Sequence, residues 1–171
     1  MAIASELLFY RRQTVCYACM YFNSRIVEEF IHHDPKLIMA CDKKERTPLH
    51  IASQCGHLEV ARVICSGSNG FEVLEAVDEN GNTPLHLACV GGNATVVQLL
   101  LDNGASMTAA NSRGEVPVHT ASQYKSVEIV EQLLKNGDHT MIGLIDGRGF
   151  TALHHAAENN QIKIITFLHQ Q

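Results

Sequence analysis

Apolar residues recur along the chain in two alternating kinds of block. Short blocks read TPLHIA at 47–52, TPLHLA at 83–88, VPVHTA at 116–121 and TALHHA at 151–156. Each is followed by a longer stripe: HLEVARVI at 57–64, NATVVQLLL at 93–101, SVEIVEQLL at 126–134 and QIKIITFL at 161–168. The short blocks start 36, 33 and 35 residues apart. Within the stripes Val60, Ala61, Val63 and Ile64, and likewise Val96, Val97, Leu99 and Leu100, fall at helical spacing. That spacing builds one apolar helix face. A period of this length predicts stacked helix–turn–helix units, none able to bury its own apolar face alone.

The short block reads as the first helix of each unit. Thr47, Thr83 and Thr151 stand where a hydroxyl can cap free backbone N–H groups. Pro48, Pro84 and Pro117 follow at the first helical position, where the missing N–H costs nothing. Ala52, Ala88, Ala121 and Ala156 let two helices approach closely. Gly56 and Gly92 supply a positive-φ residue to end the helix, a role left to Lys125 and Asn160 in later units. Asp42, Asp78, Asn111 and Asp146 each stand five residues before a block. Towards the N-terminus TVCYAC, from Thr14, is a worn copy of the block, and RIVEEFI at 25–31 plays the stripe with a one-residue ambiguity. A match of Thr14 to Thr47 places Cys16 at the position of Leu49 and Cys19 at that of Ala52, both core.

These residues resemble the ankyrin repeat, D-x-x-G-x-T-P-L-H-x-A followed by G-H-x-E-V-V-x-L-L-L. The resemblance covers roughly residues 10 to 171 and is strongest where Gly81, Thr83, Pro84, Leu85, His86, Ala88, Leu99–Leu101 and Gly104-Ala105 all match. It implies an all-α solenoid of helix–turn–helix units joined by short hairpin-like loops. The expected division is one domain, 1–171, with a degenerate repeat at about 10–41 and repeats at about 42–77, 78–110, 111–145 and 146–171, the last incomplete. Departures are Glu45 for the hairpin glycine, Val116 for the capping threonine, and about three extra residues within Gly67–Val77. Ile164, Ile165, Phe167 and Leu168 still read as interior residues. A terminal repeat is expected to carry a polar outer face, so the chain reads as a fragment or an abruptly ending isoform.

Composition narrows the picture. Charged residues are 18% of the chain and the net charge is −5, which argues against a nucleic-acid partner. No run reaches the ~18 apolar residues of a membrane span, so no direct membrane insertion is expected. Arg11 and Arg12 follow Leu7, Leu8 and Phe9 instead of preceding them, unlike a signal peptide. Six cysteines in such a chain imply free thiols and a cytoplasmic setting. The sequon Asn93-Ala94-Thr95 carries little weight there.

Ten histidines raise the question of a metal. His50, His86, His119 and His154 recur at the repeat period, so they stack at the ~8–10 Å spacing of packed helices. Zinc holds its nitrogens at ~2.0–2.1 Å, which excludes one shared ion. The resemblance instead implies that these rings bond local backbone across the loops. His32-His33 and His154-His155 are neighbours that do not face one another on a helix. Cys16-x-x-Cys19 lacks a second ligand pair. No hydrolase, P-loop or dinucleotide motif is present, and the Gly67–Gly70 stretch lacks the lysine of a phosphate cradle. The expectation is no catalysis, no metal and no cofactor.

The resemblance places binding on a concave face made of hairpin tips and the exposed side of each first helix. It carries over to Lys43, Lys44, Arg46, Gln54 and Cys55; Glu79, Asn80, Asn82 and Val90; Ser112, Arg113, Glu115, Gln123 and Tyr124; and Gly147, Arg148, Phe150, Glu158 and Asn159. Tyr124 and Phe150 are aromatic candidates for anchors. The expected role is a monomeric scaffold or adaptor binding a protein or peptide. Two alternatives stand beside it. One is the cytosolic part of a larger membrane protein, such as a transient receptor potential cation channel of the ankyrin type. The other is the regulatory part of a larger enzyme.

Overall fold

In the computed structural model, which describes residues 13–67, 70–124, 126–137 and 139–171, every block and stripe is a helix. Residues 13–20 (α1) and Ser24–His33 (α2) form the first pair. Pro48–Cys55 (α3) and Leu58–Cys65 (α4) form the second, and Gly70–Leu74 (α5) follows as one extra turn. Then come Pro84–Gly91 (α6) with Ala94–Asp102 (α7), Pro117–Gln123 (α8) with Val127–Asn136 (α9), and Ala152–Glu158 (α10) with Ile162–His169 (α11). No strand occurs among the described residues. The fold is all-α, as the periodicity requires.

The helices stack in two rows. α3, α6, α8 and α10 pack in sequence, and α2, α4, α7, α9 and α11 form the second row. Leu49, Leu85 and Val118, at one position of successive blocks, are each 0% exposed. Ala52, Ala88, Ala121 and Ala156 lie buried beside them. Each unit therefore completes its core with its neighbours. Among the described residues no helix is long and apolar enough to cross a membrane.

The extra residues after Gly67 are absorbed by α5, which buries Val73 and Leu74 and leaves Phe71 in solvent. Ser68 and Asn69 of that stretch lie outside the described residues, as do Leu7–Arg12 and Lys125. α8 ends at Tyr124 in extended backbone.

The first pair corrects the alignment of its block. Left-handed residues follow the first helices at Gly56 (φ 76), Gly92 (φ 70) and Asn160 (φ 54), and in the first pair at Phe22 (φ 58). The backbone agrees: Asn23 N–H bonds Ala18 O, as His57 N–H bonds Ala52 O. Cys16 therefore stands in the place of His50, not Leu49, and Cys19 in that of Ser53, not Ala52. Both are buried, at 5% and 0% exposure. The shift arises because turn geometry, not the match of Thr14 to Thr47, sets the register.

Candidate interaction surface

Each hairpin tip is organised by its first residue. Asp42, Asp78, Asn111 and Asp146 close the turn by donating their N–H to Arg46 O, Asn82 O, Glu115 O and Phe150 O at 2.9–3.0 Å. Their Oδ1 atoms accept from the backbone N–H two and four residues on, at 2.8–3.0 Å. A short acidic or amide side chain is what such a turn needs. Successive tips are laced together: Glu79 N–H to Lys44 O at 3.1 Å, Ser112 N–H to Asn80 O at 2.9 Å and Gly147 N–H to Arg113 O at 2.9 Å. At Gly81 and Gly114 this lacing leaves no room, since a Cβ would meet Ser112 N at 2.7 Å and Gly147 N at 2.6 Å. Glu45 holds the same left-handed turn at φ 59 without a glycine's freedom.

The repeating histidines bolt each first helix to the next hairpin segment. Nδ1 of His50, His86 and His119 accepts from the N–H of Thr47, Thr83 and Val116 at 3.1 Å. Nε2 faces Asn82 O, Glu115 O and Leu144 O at 2.9–3.0 Å. A backbone N–H on one nitrogen and a carbonyl on the other require the neutral ring with its proton on Nε2. Burial pushes the pKa of all three rings down, and the carbonyl bonds offset this only in part. The threonine hydroxyls of Thr47 and Thr83 sit 2.8–2.9 Å from the same Nδ1, whereas Val116 offers only its N–H. His154 differs: it bonds Thr151 but is exposed, because no later hairpin among the described residues presents a carbonyl to it.

A second set of staples was not legible in the sequence. His57 Nε2 reaches Met20 O at 3.0 Å, Asn93 Nδ2 reaches Ser53 O and Gln54 O at 3.1 Å, and Gln161 Nε2 reaches Gln123 O at 3.2 Å. The same position carries three residue types, so no motif marks it. It gives the sequon asparagine Asn93 a structural task.

Between the last tips lies a buried polar network. Glu115, expected at an exposed tip, is only 2% exposed. It accepts from Asn111 Nδ2 and Arg113 Nε at 3.0 Å and from Gln123 Nε2 at 2.9 Å. Gln123 also approaches His155 Nδ1 at 3.2 Å, and His155 Nε2 meets Asp146 Oδ2 at 3.0 Å. The buried His155 therefore joins two repeats. Burial pushes Glu115 up, but its bonds to Asn111, Arg113 and Gln123 outweigh that and hold it low. For Asp146 the N–H groups of Phe150 and Arg148, then His155 and Arg148 side chains, likewise prevail over burial and hold it at about 2. Glu115, Asp146 and His155 place one ligand atom each within 4.8 Å of one another. The guanidinium groups of Arg113 and Arg148 already bond these carboxylates at 2.7 and 3.4 Å, and their charge opposes a cation there.

The remaining expected surface residues divide by exposure. Lys43, Lys44, Cys55, Glu79, Asn80, Ser112, Arg113, Tyr124, Gly147, Arg148, Glu158 and Asn159 are exposed. Arg46, Gln54, Asn82, Val90, Gln123 and Phe150 are half-buried. Phe150 is a half-buried ring with part of its surface taken by neighbours. The Arg148 guanidinium lies 4.3 Å above it, and His154 and His155 pack at 5.3 and 6.1 Å. Arg46 is clamped by Asp42 at 2.7 Å and by Gln54 at 2.9 Å. Lys43 and Lys44 have no acidic partner among the described residues.

At the other end of the row a groove of about 430 Å³ opens between α1 and the 42–46 hairpin. Tyr17 and Met20 line it at 57% and 39% exposure. With the corrected register Met20 matches Gln54, so the row of expected surface positions extends into the first pair, while Tyr17 matches the buried Ile51 and stands exposed beside it. The match of Thr14 to Thr47, off by one residue, hid both residues from the sequence.

No curated protein matches the chain in sequence. A family profile described as ankyrin repeats (3 copies) matches residues 15–111 and again residues 106–171. With the Asx-closed tips, the bolting histidines and two helix rows already in place, that match over nearly the whole length means that the chain belongs to the ankyrin-repeat family.

Proposed function

We propose that the concave row of hairpin tips and first helices binds a protein or peptide, and that the chain acts as a monomeric, non-catalytic adaptor in the cytoplasm. Ankyrin repeats generally mediate protein–protein interaction and are typically non-catalytic. One observation carries the reading for this chain. The tip backbones are locked by Asx turns and inter-tip bonds, while Lys43, Lys44, Glu79, Asn80, Arg113 and Arg148 remain exposed on them. A backbone already locked has no loop left to order on binding, so only side-chain freedom is lost, which favours recognition. Amine-reactive crosslinking to a captured partner tests it. Crosslinks at Lys43 and Lys44 are expected. Crosslinks confined to Lys135 on α9 and Lys163 on α11 would place binding on the second row and reject the concave face.

A second reading has this chain as part of a longer array, within a larger membrane protein such as an ankyrin-type transient receptor potential channel, or beside a catalytic domain. The longer array, though neither kind of larger protein, is favoured by Leu153, 38% exposed where Leu49 and Leu85 are fully buried, and by the exposed His154. Fusing a polar-faced consensus repeat after Gln171 tests whether this end is a stacking face. A clear rise in melting temperature supports it, and no rise rejects it.

A further inference from the structure

The groove beside α1 combines two properties that the other tips keep apart. Its walls are Tyr17, Met20, Lys43 and Lys44, and its floor includes Cys16 and Ile51. The floor is apolar: Ile51 is 1% exposed, and Cys16 is 5% exposed with burial pushing its thiol up to about 12, so it stays neutral. Tyr17 stacks on Tyr21 at 6.4 Å between ring centres, and Tyr21 and Phe22 are themselves 74% and 56% exposed. At this end the first pair carries a cysteine where the later pairs carry the bolting histidine. In its place the Cys16 thiol reaches Ala40 O only at 3.8 Å.

The charge in the groove is also unbalanced. Asp42 neutralises Arg46 at 2.7 Å, which leaves the ammonium groups of Lys43 and Lys44 unmatched in a chain whose net charge is −5. At the far tips the opposite holds, since Arg113 and Arg148 are both spent on carboxylates of this chain. A volume of about 430 Å³ falls within the ~300–1,000 Å³ of ligand sites, which gives room for a large side chain together with its flanking backbone.

We propose that this groove binds an acidic peptide segment bearing one large apolar side chain, with that side chain between Tyr17 and Met20 and its flanking carboxylates facing Lys43 and Lys44. The proposal rests on the concave-face reading above and names the partner chemistry at one end of it. Two free lysines are too few to hold a nucleic-acid backbone against a negative chain, whereas they match the carboxylates of one peptide. The aromatic wall governs dissociation, and the lysines govern association and its salt dependence.

The probe is a fluorescein-labelled peptide with one phenylalanine flanked on each side by two glutamates, titrated into the full chain by fluorescence anisotropy. Two controls replace the phenylalanine by alanine or the glutamates by lysines. Lys43→Glu with Lys44→Glu is expected to weaken binding by about tenfold or more and flatten its salt dependence. Tyr17→Ala is expected to weaken it by about fivefold through faster dissociation, while Tyr17→Phe retains it. Lys135→Glu with Lys163→Glu, on the second row, leaves it unchanged. All variants are compared by circular dichroism, and the half-exposed Tyr17 leaves the fold intact. No binding of the probe, equal binding of both controls, or tighter binding of a labelled oligonucleotide overturns the proposal. Loss of binding in Tyr124→Ala with no change in the groove variants removes the groove but leaves the concave face standing. Crosslinks on the second row alone remove both.

Discussion

The tips at 42–46 and 111–115 share one backbone and differ in how their charges are used. Both close on an Asx residue whose Oδ1 takes two N–H groups at 2.8–3.0 Å. At 111–115 the acid is buried, the arginine folds onto it at 2.7 Å, and Gln123 and His155 carry the network into the next repeat. At 42–46 the arginine folds back on the Asx residue itself, and two lysines point into solvent beside an open groove. A repeat backbone thus fixes where side chains stand, and the sequence at each tip decides whether they hold the stack together or stay exposed. The histidine bolt sharpens the contrast. It ties α3, α6 and α8 to the segments that follow them, and a 3.8 Å thiol contact replaces it at α1.

The largest expected effect lies midway between the two regions. Leu85 is 0% exposed, and Leu85→Ala should cost ~2–5 kcal/mol in a denaturant titration. A loss under about 0.5 kcal/mol would mean that the core is not shared along the stack. The bolt comes next. His86→Ala leaves the Thr83 N–H and the Glu115 carbonyl without the ring and should cost about 2–3 kcal/mol. Cys16→Ala should cost about 1 kcal/mol, the worth of a small buried group. Equal losses would dissolve the distinction between bolted and unbolted pairs.

Acid should act on the bolted region first. Burial holds the pKa of His50, His86 and His119 below the ordinary 6.5. The unfolded chain therefore binds more protons below that value, and stability falls as pH drops from about 6.5 towards the folded pKa values. Asp42 and Glu115 lie below their ordinary 3.8 and 4.5, and Asp146 is held at about 2, so a second loss begins below about 4.5. Urea midpoints across pH 3–8 check both steps. Stability that stays flat between pH 7 and pH 5 would show that the rings are not buried neutral.

The smallest effect concerns the tip that carries the lysines. Glu45 sits at φ 59 where later tips use glycine at φ 73–79. A left-handed side chain costs roughly 1–2 kcal/mol, and glycine returns about 0.5–1 of that through chain entropy. Glu45→Gly should therefore raise stability by up to about 1 kcal/mol, read from the denaturation midpoint. Destabilisation instead would mean that the Glu45 side chain supports the tip.

Much of the fold was legible because it depends on local chemistry. The 33- to 36-residue spacing, the Thr-Pro helix starts and the apolar stripes each state a backbone preference without reference to distant residues. They predict helix pairs, their order, and a core through Leu85. Candidate tips were legible for the same reason, since an Asx residue five positions before each block marks a closed turn. What the sequence withheld depends on how side chains meet in space, within a repeat and between repeats. Glu115 looks like a surface charge until Asn111, Arg113 and Gln123 are seen to enclose it, and Phe150 looks like an open ring until Arg148 is seen to lie over one part of it. Met20 joined the row of expected surface positions, with Tyr17 beside it, only once the left-handed Phe22 corrected the register of α1. One repeat's sequence determines its own turns and helices, because backbone bonds close within it. Burial and the open groove depend on the neighbouring repeat, and the pairing of charges depends on how side chains fold over one tip, so only the tertiary structure decides them.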